Sequence, residues 1–349
     1  MKNDKSANTY YYNQLNKQQQ KAYHAMKTGL LALSPSFPVL RLDGRELADI
    51  YFMLRMDCPE IFYTVNFRYR YYPDSENVEL IPEYLFQKNK IMDHQKAMEA
   101  RVKKLVRQAE KLSEKEKELF IHDFICQNVR YDKLKKPYSH EIIGPLGQGV
   151  GVCEGIAKSV KILCDALGIW CIIALSEANP EKKIKYRHAW NVIRIEGKYY
   201  HLDATFDNTL GHGESIRYDY FNLNDTQFFR DHEPVIWKVP ICEDGEHSYY
   251  REKKLSFTKY EDVRKRCAQA VKKGKVFLFH WRGGYLTREV LKDLIQILEE
   301  EAAKKEKYAY LSLNWPQAVI QVMFKETPPV QQVRMEEANE GELLEESNT

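Results

Sequence analysis

The sequence predicts a protein of the α+β class, built from helices and antiparallel strands. Apolar residues recur at helical spacing in some segments and at every second position in others. A Glu196-Gly197 pair between two apolar runs predicts a β-hairpin. The 349 residues include 44% hydrophobic side chains, which is enough for more than one core. We expect an N-terminal α/β flanking domain, a central core, a small C-terminal α/β unit and an acidic tail: 1–112, 113–250, 251–330 and 331–349.

Charge and hydropathy argue against two classes of partner. Lys and Arg number 53 against 50 Asp and Glu, and the net charge of +3 does not favour nucleic-acid binding. The longest apolar run, Ile169–Leu175, is far too short to cross a membrane, and the first residues lack the apolar segment of a secretory signal. We therefore expect a cytoplasmic protein with no nucleic-acid or membrane partner. Residues 335–349 hold six Glu and no basic residue, which predicts a disordered tail.

The cysteines favour neither disulfides nor zinc. There are seven, an odd number, and none forms a C-x-x-C pair. Four further candidate ligands have a spacing that matches no metal-binding pattern: His212, Glu214, Asp219 and His232. We predict no metal and no cofactor.

The N-terminal region is predicted to mix helices with a strand. Apolar spacing indicates helices over 13–33, 43–56 and 93–112. Between the last two, aromatic and polar residues alternate from Tyr63 to Tyr71, which is typical of a half-buried strand. We expect this aromatic stripe to pack against the rest of the region.

The central region begins with a clear helix signal. Ser113 followed by Glu116 forms a capping box, and the helix should run to about Val129. Residues 131–149 are rich in Pro, Gly and Lys, so we expect a loop.

A second helix of the central region is followed by a strand. From Ile156 to Leu167 the apolar residues share one helical face, and Gly168 is placed to end the helix. Residues 169–175 predict a buried strand, and residues 176–187 a polar loop. The strands of the hairpin then cover 188–195 and 198–204.

The C-terminal unit alternates helices and strands but carries no chemistry that the sequence reveals. The segments 259–273 and 287–305 favour helices, and 275–281 and 318–325 favour strands. His280 lies in the first of these strands, where a packed histidine is more plausible than a ligand.

Cys153 has the position of a reactive thiol. It directly precedes the amphipathic helix of the central region. The first turn of a helix has unpaired N–H groups and a partial positive charge, and both favour a thiolate. A thiolate is the nucleophile of covalent cysteine catalysis.

The hairpin supplies a base and an orienting carboxylate. If Glu196-Gly197 is a two-residue turn, Asp203 lies opposite Trp190, and His188 shares their face of the sheet. His188 and Asp203 are then diagonal neighbours, close enough for their side chains to meet. A three-residue loop would place them on opposite faces. Cys153, His188 and Asp203 therefore form a candidate catalytic triad.

Several segments resemble the transglutaminase-like superfamily, within the broader papain-like group of cysteine enzymes. They are GVCEGIAKS, HAWNVI, GKYYHLDATFD and RYDYFNLND, with IHDFICQNVRYD and IIGPLGQGVGVC upstream. The chain order Cys, His, Asp agrees, and the resemblance covers about residues 115–235. It implies an α+β core in which the cysteine helix packs on an antiparallel sheet that carries His and Asp.

The resemblance also implies a mechanism. Cys153 attacks a carboxamide or peptide carbonyl to form a thioester, His188 moves the proton, and Asp203 orients the imidazole. The Cys153 backbone N–H is one candidate donor to the oxyanion, and Gln148 is a candidate for the second. A solvated loop glutamine is the alternative for Gln148.

Neighbouring residues leave alternatives open. Trp190 either walls the acyl site or fills the core, and the core is favoured. His201 either supports Asp203 or is an exposed strand residue, and exposure is favoured. Asp207 is a second candidate for orienting His188. Asn191 and Thr205 are expected to be structural.

These observations favour a transglutaminase-like cysteine hydrolase or acyltransferase acting on peptide or glutamine-type amides. Family analogy prefers hydrolysis to cross-linking, and the expected partner is a protein or peptide substrate. The first alternative is a non-catalytic protein-interaction module of the same fold. Acyl transfer from a thioester cofactor and a peptide–glycan amidase remain further alternatives. The sequence shows neither a cofactor motif nor the paired-cysteine zinc site that they would use.

Overall fold

The computed structural model describes residues 8–182, 184–211 and 215–328, which form two compact units. The first unit comprises the chain up to Glu177 together with Arg187–Tyr220 and Pro234–Cys242. The second comprises Ala178–Tyr186, Phe221–Glu233 and the chain from Glu243 onward. The predicted acidic tail, 331–349, lies outside the described residues.

The first unit joins the N-terminal elements to the central ones. Its α-helices are α1 (Lys17–Leu31), α2 (Gly44–Asp57), α3 (Lys88–Ala109), α4 (Glu114–Asn128), α5 (Cys153–Leu167) and α6 (Ala204–Gly211). Its strands are β1 (Phe37–Leu40), β2 (Thr64–Arg70), β3 (Asn77–Tyr84), β4 (Arg130–Tyr131), β5 (Val150–Gly151), β6 (Trp170–Ser176), β7 (His188–Ile195) and β8 (Lys198–Leu202).

Local sequence signals fix the helix ends. Ser113 accepts from the Glu116 N–H while Glu116 bonds back to the Ser113 N–H, so the predicted capping box is confirmed. Asn16 and Asp43 begin α1 and α2 in the same way. Gly168 ends α5 with a φ of 78°, a left-handed conformation that glycine adopts without a Cβ penalty.

The aromatic stripe packs only at its beginning. β2 is the edge of an antiparallel sheet with the order β1-β3-β2. Tyr63, just before the strand, is fully buried, whereas Tyr69 and Tyr71 are 45% and 50% exposed. Phe67 is half-buried, with its ring centre 5.0 Å from that of Tyr51, so the expectation of packing is confirmed for the first half of the stripe and was wrong for Tyr69 and Tyr71. The strands β1 and β3 were not predicted.

The predicted loop over 131–149 is more ordered than expected. It contains a 3₁₀-helix at Pro137–His140 and a π-helix at Ile143–Gln148. β4 and β5 form a parallel pair, so Tyr131 lies beside Gly151, two residues before Cys153. This pairing brings the end of α4 next to the start of α5.

The cysteine helix packs on an antiparallel sheet, as expected. β6 pairs with β7, and β7 pairs with β8 through the predicted two-residue turn, since Ile195 lies opposite Lys198. Glu196 and Gly197 both have positive φ, 50° and 84°, which suits a type I′ turn. The Asn191 side chain in β7 donates to the Ala157 carbonyl of α5 at 3.0 Å.

A hydrophobic cluster joins α5, β6 and β7 to the N-terminal elements. Cys153, with its side chain half-buried, lies against this cluster. Its buried members are Tyr11, Met53, Met56, Ala157, Ile173, Leu175 and Ala189.

The second unit has its own sheet and core. Its elements are β9 (Phe221–Leu223), α7 (Asp225–Phe228), α8 (Tyr249–Glu252), β10 (Ser256–Phe257), α9 (Tyr260–Lys273), β11 (Phe277–Trp281), α10 (Arg288–Ala303), β12 (Tyr308–Asn314) and β13 (Val319–Lys325). The sheet order is β10-β11-β13-β12. His280 is 9% exposed and shares a hydrogen bond of 2.9 Å with Ser256, so the prediction of a packed histidine is confirmed.

The predicted α+β class is confirmed. Helices accompany sheets whose strands are antiparallel apart from two short pairs, β4–β5 and β10–β11. Within the described ranges, no helix has both the length and the apolar character that crossing a bilayer requires.

Candidate active site

Cys153 is the first residue of α5. The preceding residue, Val152, has no side chain that could cap the helix, so no cap side chain occupies the N–H groups of the first turn. Together with the helix dipole, these groups favour negative charge on the Cys153 sulfur. The thiol is half-buried, as is that of Cys126, while the other five cysteines are buried. All seven are free thiols.

The segment before α5 holds the start of this helix in place. Asp132 accepts the Ser139 hydroxyl and two backbone N–H groups of its own loop. The Ser139 carbonyl in turn accepts the Val152 N–H at 3.0 Å. A Cβ on Gly155 would lie 2.2 Å from that carbonyl oxygen. Glycine is therefore required two residues after the cysteine for the chain to approach so closely.

His188 and Asp203 meet as the hairpin register predicts. Asn191 lies opposite Leu202, which places Asp203 beyond the paired strands at the level of Trp190. The Nε2 atom of His188 lies 2.6 Å from Oδ2 of Asp203. The Asp203 carboxylate is fully buried and His188 is 7% exposed, so little water competes for this bond.

Asp203 also begins α6. Its Oδ1 atom accepts the N–H groups of Thr205 at 2.8 Å and Phe206 at 3.1 Å. This is the hydrogen bonding of a helix N-cap. Here one oxygen caps the helix while the other contacts the imidazole.

His188 links the carboxylate to the thiol. Its imidazole also interacts with Cys153. Because Asp203 occupies Nε2, Nδ1 is the nitrogen that can bond the sulfur. Burial opposes protonation of His188, but Asp203 and Cys153 together raise its pKa well above the ordinary value. This environment favours the protonated, positively charged form of the imidazole.

Aromatic rings surround the imidazole. Trp190 stacks on His188 with ring centres 5.9 Å apart, and Phe206 lies 4.9 Å away. Trp190 is 1% exposed, which agrees with the core interpretation and not with a wall of the substrate site. Its indole N–H donates to Nδ1 of His201 at 3.0 Å. His201 is buried, so the preference for an exposed strand residue was wrong.

The remaining predicted neighbours have separate positions. Gln148 is exposed at the end of the π-helix, and its assignment to the oxyanion hole stays a prediction. Asp207 contacts His122, with 3.1 Å between its Oδ2 atom and Nε2, and not His188, so it is not the orienting residue. Asn191 and Thr205 are both buried, as expected of structural residues. The Asn191 side chain donates to a backbone carbonyl, and the Thr205 backbone N–H donates to the Asp203 carboxylate.

The four unassigned candidate ligands are only partly described. His212 and Glu214 lie outside the described residues. Asp219 is held by Arg217 through two hydrogen bonds of 3.0 and 2.6 Å. His232 lies in the second unit, with Nδ1 3.0 Å from Asp231.

Sequence reasoning missed a buried charge cluster beside the cysteine. Lys158 lies 2.8 Å from Glu141 and 2.7 Å from Glu154, and Arg55 contacts both carboxylates. Burial opposes ionisation of Glu154, but Lys158 and Arg55 hold its pKa well below the usual range. The i,i+4 spacing of Glu154 and Lys158 was a visible signal. Arg55 is far in the sequence from both carboxylates, and Glu141 is 17 residues from Lys158, so no sequence pattern indicated that they belong to the cluster.

Comparison with known proteins places this site within a known domain type. The model of the transglutaminase-like superfamily matches residues 99–204, a range that contains Cys153, His188 and Asp203. This part of the chain is similar to the transglutaminase-like superfamily. A comparison with curated proteins found no match.

Two solved structures show low overall similarity to the chain. One is a TGase, with 14% identity and a TM-score of 0.25, covering 49% of this chain and 50% of that one. The other, a candidate cysteine protease from Cytophaga hutchinsonii, has 16% identity and a TM-score of 0.27. That match covers 40% of this chain and 62% of the other. Both matches thus span less than two thirds of the other protein.

The arrangement of Cys153, His188 and Asp203 offers groups that acyl chemistry can use. It offers a half-buried thiol at a helix start, a histidine that interacts with that thiol, and a carboxylate that fixes the histidine. The Cys153 backbone N–H adds a donor at the same helix end.

Proposed function

We propose that this protein is a cysteine-dependent enzyme that cleaves or transfers amides of peptide or glutamine type through a thioester. The observation that carries the proposal is the connected set of Cys153, His188 and Asp203, with 2.6 Å between the imidazole and the carboxylate. The match of the transglutaminase-like superfamily to this part of the chain supports it.

The first half of the proposed reaction forms the thioester. The Cys153 sulfur attacks the amide carbonyl, and the developing oxyanion accepts from the Cys153 backbone N–H. The imidazolium of His188 gives its proton to the leaving nitrogen as the C–N bond breaks. Asp203 keeps the ring oriented and stabilises its positive charge.

The second half releases the acyl group. His188, now neutral, takes a proton from water or from an amine, which attacks the thioester carbonyl. The C–S bond breaks, the thiolate is restored, and the proton remains on His188. Water gives hydrolysis and an amine gives transamidation. We favour hydrolysis on family analogy alone.

The first experiment measures the reactivity of the thiols. The native protein is titrated with iodoacetamide from pH 5 to 9, and each labelled cysteine is identified by mass spectrometry. Cys126, the other half-buried thiol, is the comparison within the same protein, and burial raises the pKa of its thiol. We expect Cys153 to react rapidly well below a free-thiol pKa of about 8.5, and His188→Ala to slow that reaction.

The alternative predicts the opposite result. A non-catalytic module of this fold would label Cys153 slowly, with the pH profile of an ordinary thiol and no response to His188→Ala. That result would contradict the proposed catalytic role.

A second experiment separates hydrolysis from transamidation. The protein is incubated with glutamine-containing peptides in H₂¹⁸O, with and without a primary amine. Incorporation of ¹⁸O into a new carboxylate indicates hydrolysis, and a mass increase equal to the amine less ammonia indicates transfer. Cys153→Ser is the control, because it retains the side-chain size but loses the thiolate.

A further inference from the structure

A second histidine–carboxylate pair lies behind the candidate triad. His122 is completely buried in α4, and its Nε2 atom lies 3.1 Å from Oδ2 of Asp207. Its other nitrogen, Nδ1, lies 3.2 Å from Oδ1 of Asp123. A histidine that donates to carboxylates from both ring nitrogens is an imidazolium. The two contacts therefore describe a buried cation held between anions.

Asp207 fastens α6 to the segment that precedes β9. Its Oδ1 atom accepts the backbone N–H groups of Asp219 at 2.7 Å and Tyr220 at 3.1 Å. The Tyr220 carbonyl in turn accepts the N–H of Asp203 at 3.0 Å. One peptide segment thus connects Asp207 to the backbone of the residue that orients His188.

The two aspartates are one helical turn apart. The Asp207 N–H bonds the Asp203 carbonyl at 3.3 Å, so the first turn of α6 joins them directly as well. Phe206, between them, contacts both the His188 ring at 4.9 Å and the Tyr220 ring at 5.1 Å. A shift of Asp207 would therefore move Asp203 through hydrogen bonds and through packing.

We propose that His122 and Asp207 are positioning residues that hold Asp203, and through it His188, in the orientation that the reaction needs. This inference rests on the proposed function, since it assigns a role in the same site. Neither residue touches the reacting atoms. The His122 imidazolium keeps Asp207 ionised, and the ionised carboxylate accepts both N–H groups of the 219–220 segment.

The electrostatic surroundings agree with this assignment. Burial raises the pKa of Asp207 to about 6, while the bond and charge of His122 oppose that rise. Without the imidazolium, a buried carboxylate would take up a proton more readily, and one of its oxygens would become a donor.

Other groups also face His122. Cys126 on its own helix has Sγ 3.6 Å from Nε2, and the Tyr218 ring stacks on the imidazole at 5.0 Å. Asp219 lies beside Asp207 and is paired with Arg217.

The test uses two conservative variants and a packing control on the full-length chain. His122→Gln and Asp207→Asn remove the charges but retain polar side chains of similar size. Ile125→Val removes one methyl group from a fully buried residue of α4, so it lowers stability and changes no charged group of the network. His188→Gln assigns the spectroscopic signal of the His188 side chain.

Two readouts are compared. The first is the proton of the short His188–Asp203 hydrogen bond, observed by NMR in protein with ¹⁵N-labelled histidine. The second is the iodoacetamide pH profile of Cys153. We expect both variants to shift or remove the NMR signal and to slow labelling at pH 6.5 on the order of tenfold to hundredfold. The Ile125→Val protein should match the wild type in both readouts.

The double variant tests the connection between the two residues. If His122 acts through Asp207, the combined effect on labelling should be much smaller than the product of the single effects. An unchanged NMR signal and pH profile in both single variants would overturn the inference while leaving the proposed function intact. An ordinary Cys153 profile in the wild type, insensitive to His188→Ala, would overturn both.

Discussion

The Asp203 carboxylate binds His188 and the first turn of α6 at the same time. One oxygen lies 2.6 Å from Nε2 of His188, and the other accepts two backbone N–H groups of the helix. The carboxylate therefore cannot rotate without losing bonds on both sides. The stability of α6 and the orientation of the imidazole depend on the same side chain.

Substitutions at Asp203 should separate these two roles. Asp203→Ser retains an N-cap oxygen but removes the partner of His188, whereas Asp203→Ala removes both. We expect urea unfolding to show the Ala protein about 0.5–2 kcal/mol less stable than the Ser protein. Both should slow Cys153 labelling at pH 6.5 to a similar extent. A Ser variant that labels like the wild type would show that the His188 contact is dispensable.

The pH dependence of stability should reveal the charge on His188. Its pKa is raised well above the ordinary value in the folded protein, so the native state holds the proton after the unfolded chain has released it. The stabilisation is complete below about pH 6.5 and is lost as pH rises through the folded pKa. In a Cys153→Ser background, which removes the titrating thiol, the unfolding free energy should fall by up to about 1.4 kcal/mol per pH unit from this residue between pH 6.5 and 8.5.

His188→Gln in the same Cys153→Ser background is the comparison for that slope. Urea unfolding at several pH values should give a flatter dependence in the variant, because the other titrating groups are shared. Equal slopes in the two proteins would mean that His188 is neutral in the native state.

Gly155 should be intolerant of any side chain. A Cβ there would lie 2.2 Å from the Ser139 carbonyl oxygen. Because this oxygen belongs to the backbone, it cannot rotate away as a side chain could. We expect Gly155→Ala to destabilise the protein by about 1–3 kcal/mol and to slow Cys153 labelling, since the first turn of α5 must shift. Gly211→Ala is the matched control, because its Cβ would meet nothing within 4 Å. Similar unfolding midpoints for the two variants would contradict the close approach.

The buried charge cluster should depend on Lys158. This side chain is completely buried and contacts both Glu141 and Glu154. In Lys158→Met, the two carboxylates would share Arg55 as their cation within this cluster. We expect the unfolding free energy of the variant to be about 3–5 kcal/mol lower than that of the wild type. Arg70→Met removes an ion pair whose Arg side chain is 65% exposed, and should leave the unfolding midpoint unchanged. A small effect of Lys158→Met would indicate that water reaches the cluster.

Sequence reasoning succeeded where the determining interactions are local. The start of α4 follows from Ser113 and Glu116, and the end of α5 from Gly168. The meeting of His188 and Asp203 follows from counting across a two-residue turn, because strand geometry alternates side chains with a fixed period.

Prediction failed where the partners are far apart in the chain. His122 and Asp207 are 85 residues apart in the sequence, and no pattern around either residue predicts their contact. His201 looked exposed because a polar residue in a strand usually faces water, yet the Trp190 indole supplies its hydrogen bond. The π-helix at 143–148 contains Gly and Pro, and these residues usually indicate a loop.

The bond between Tyr11 and Ile173 has a consequence for synthesis on the ribosome. The Tyr11 hydroxyl donates to the Ile173 carbonyl in β6 at 2.5 Å, and Tyr11 belongs to the cluster against which Cys153 packs. These residues are separated by 162 positions. At about 5–20 residues per second, Tyr11 is synthesised roughly 10–30 s before its partner strand. The helix that begins at Cys153 therefore packs against a residue that the ribosome adds long before it.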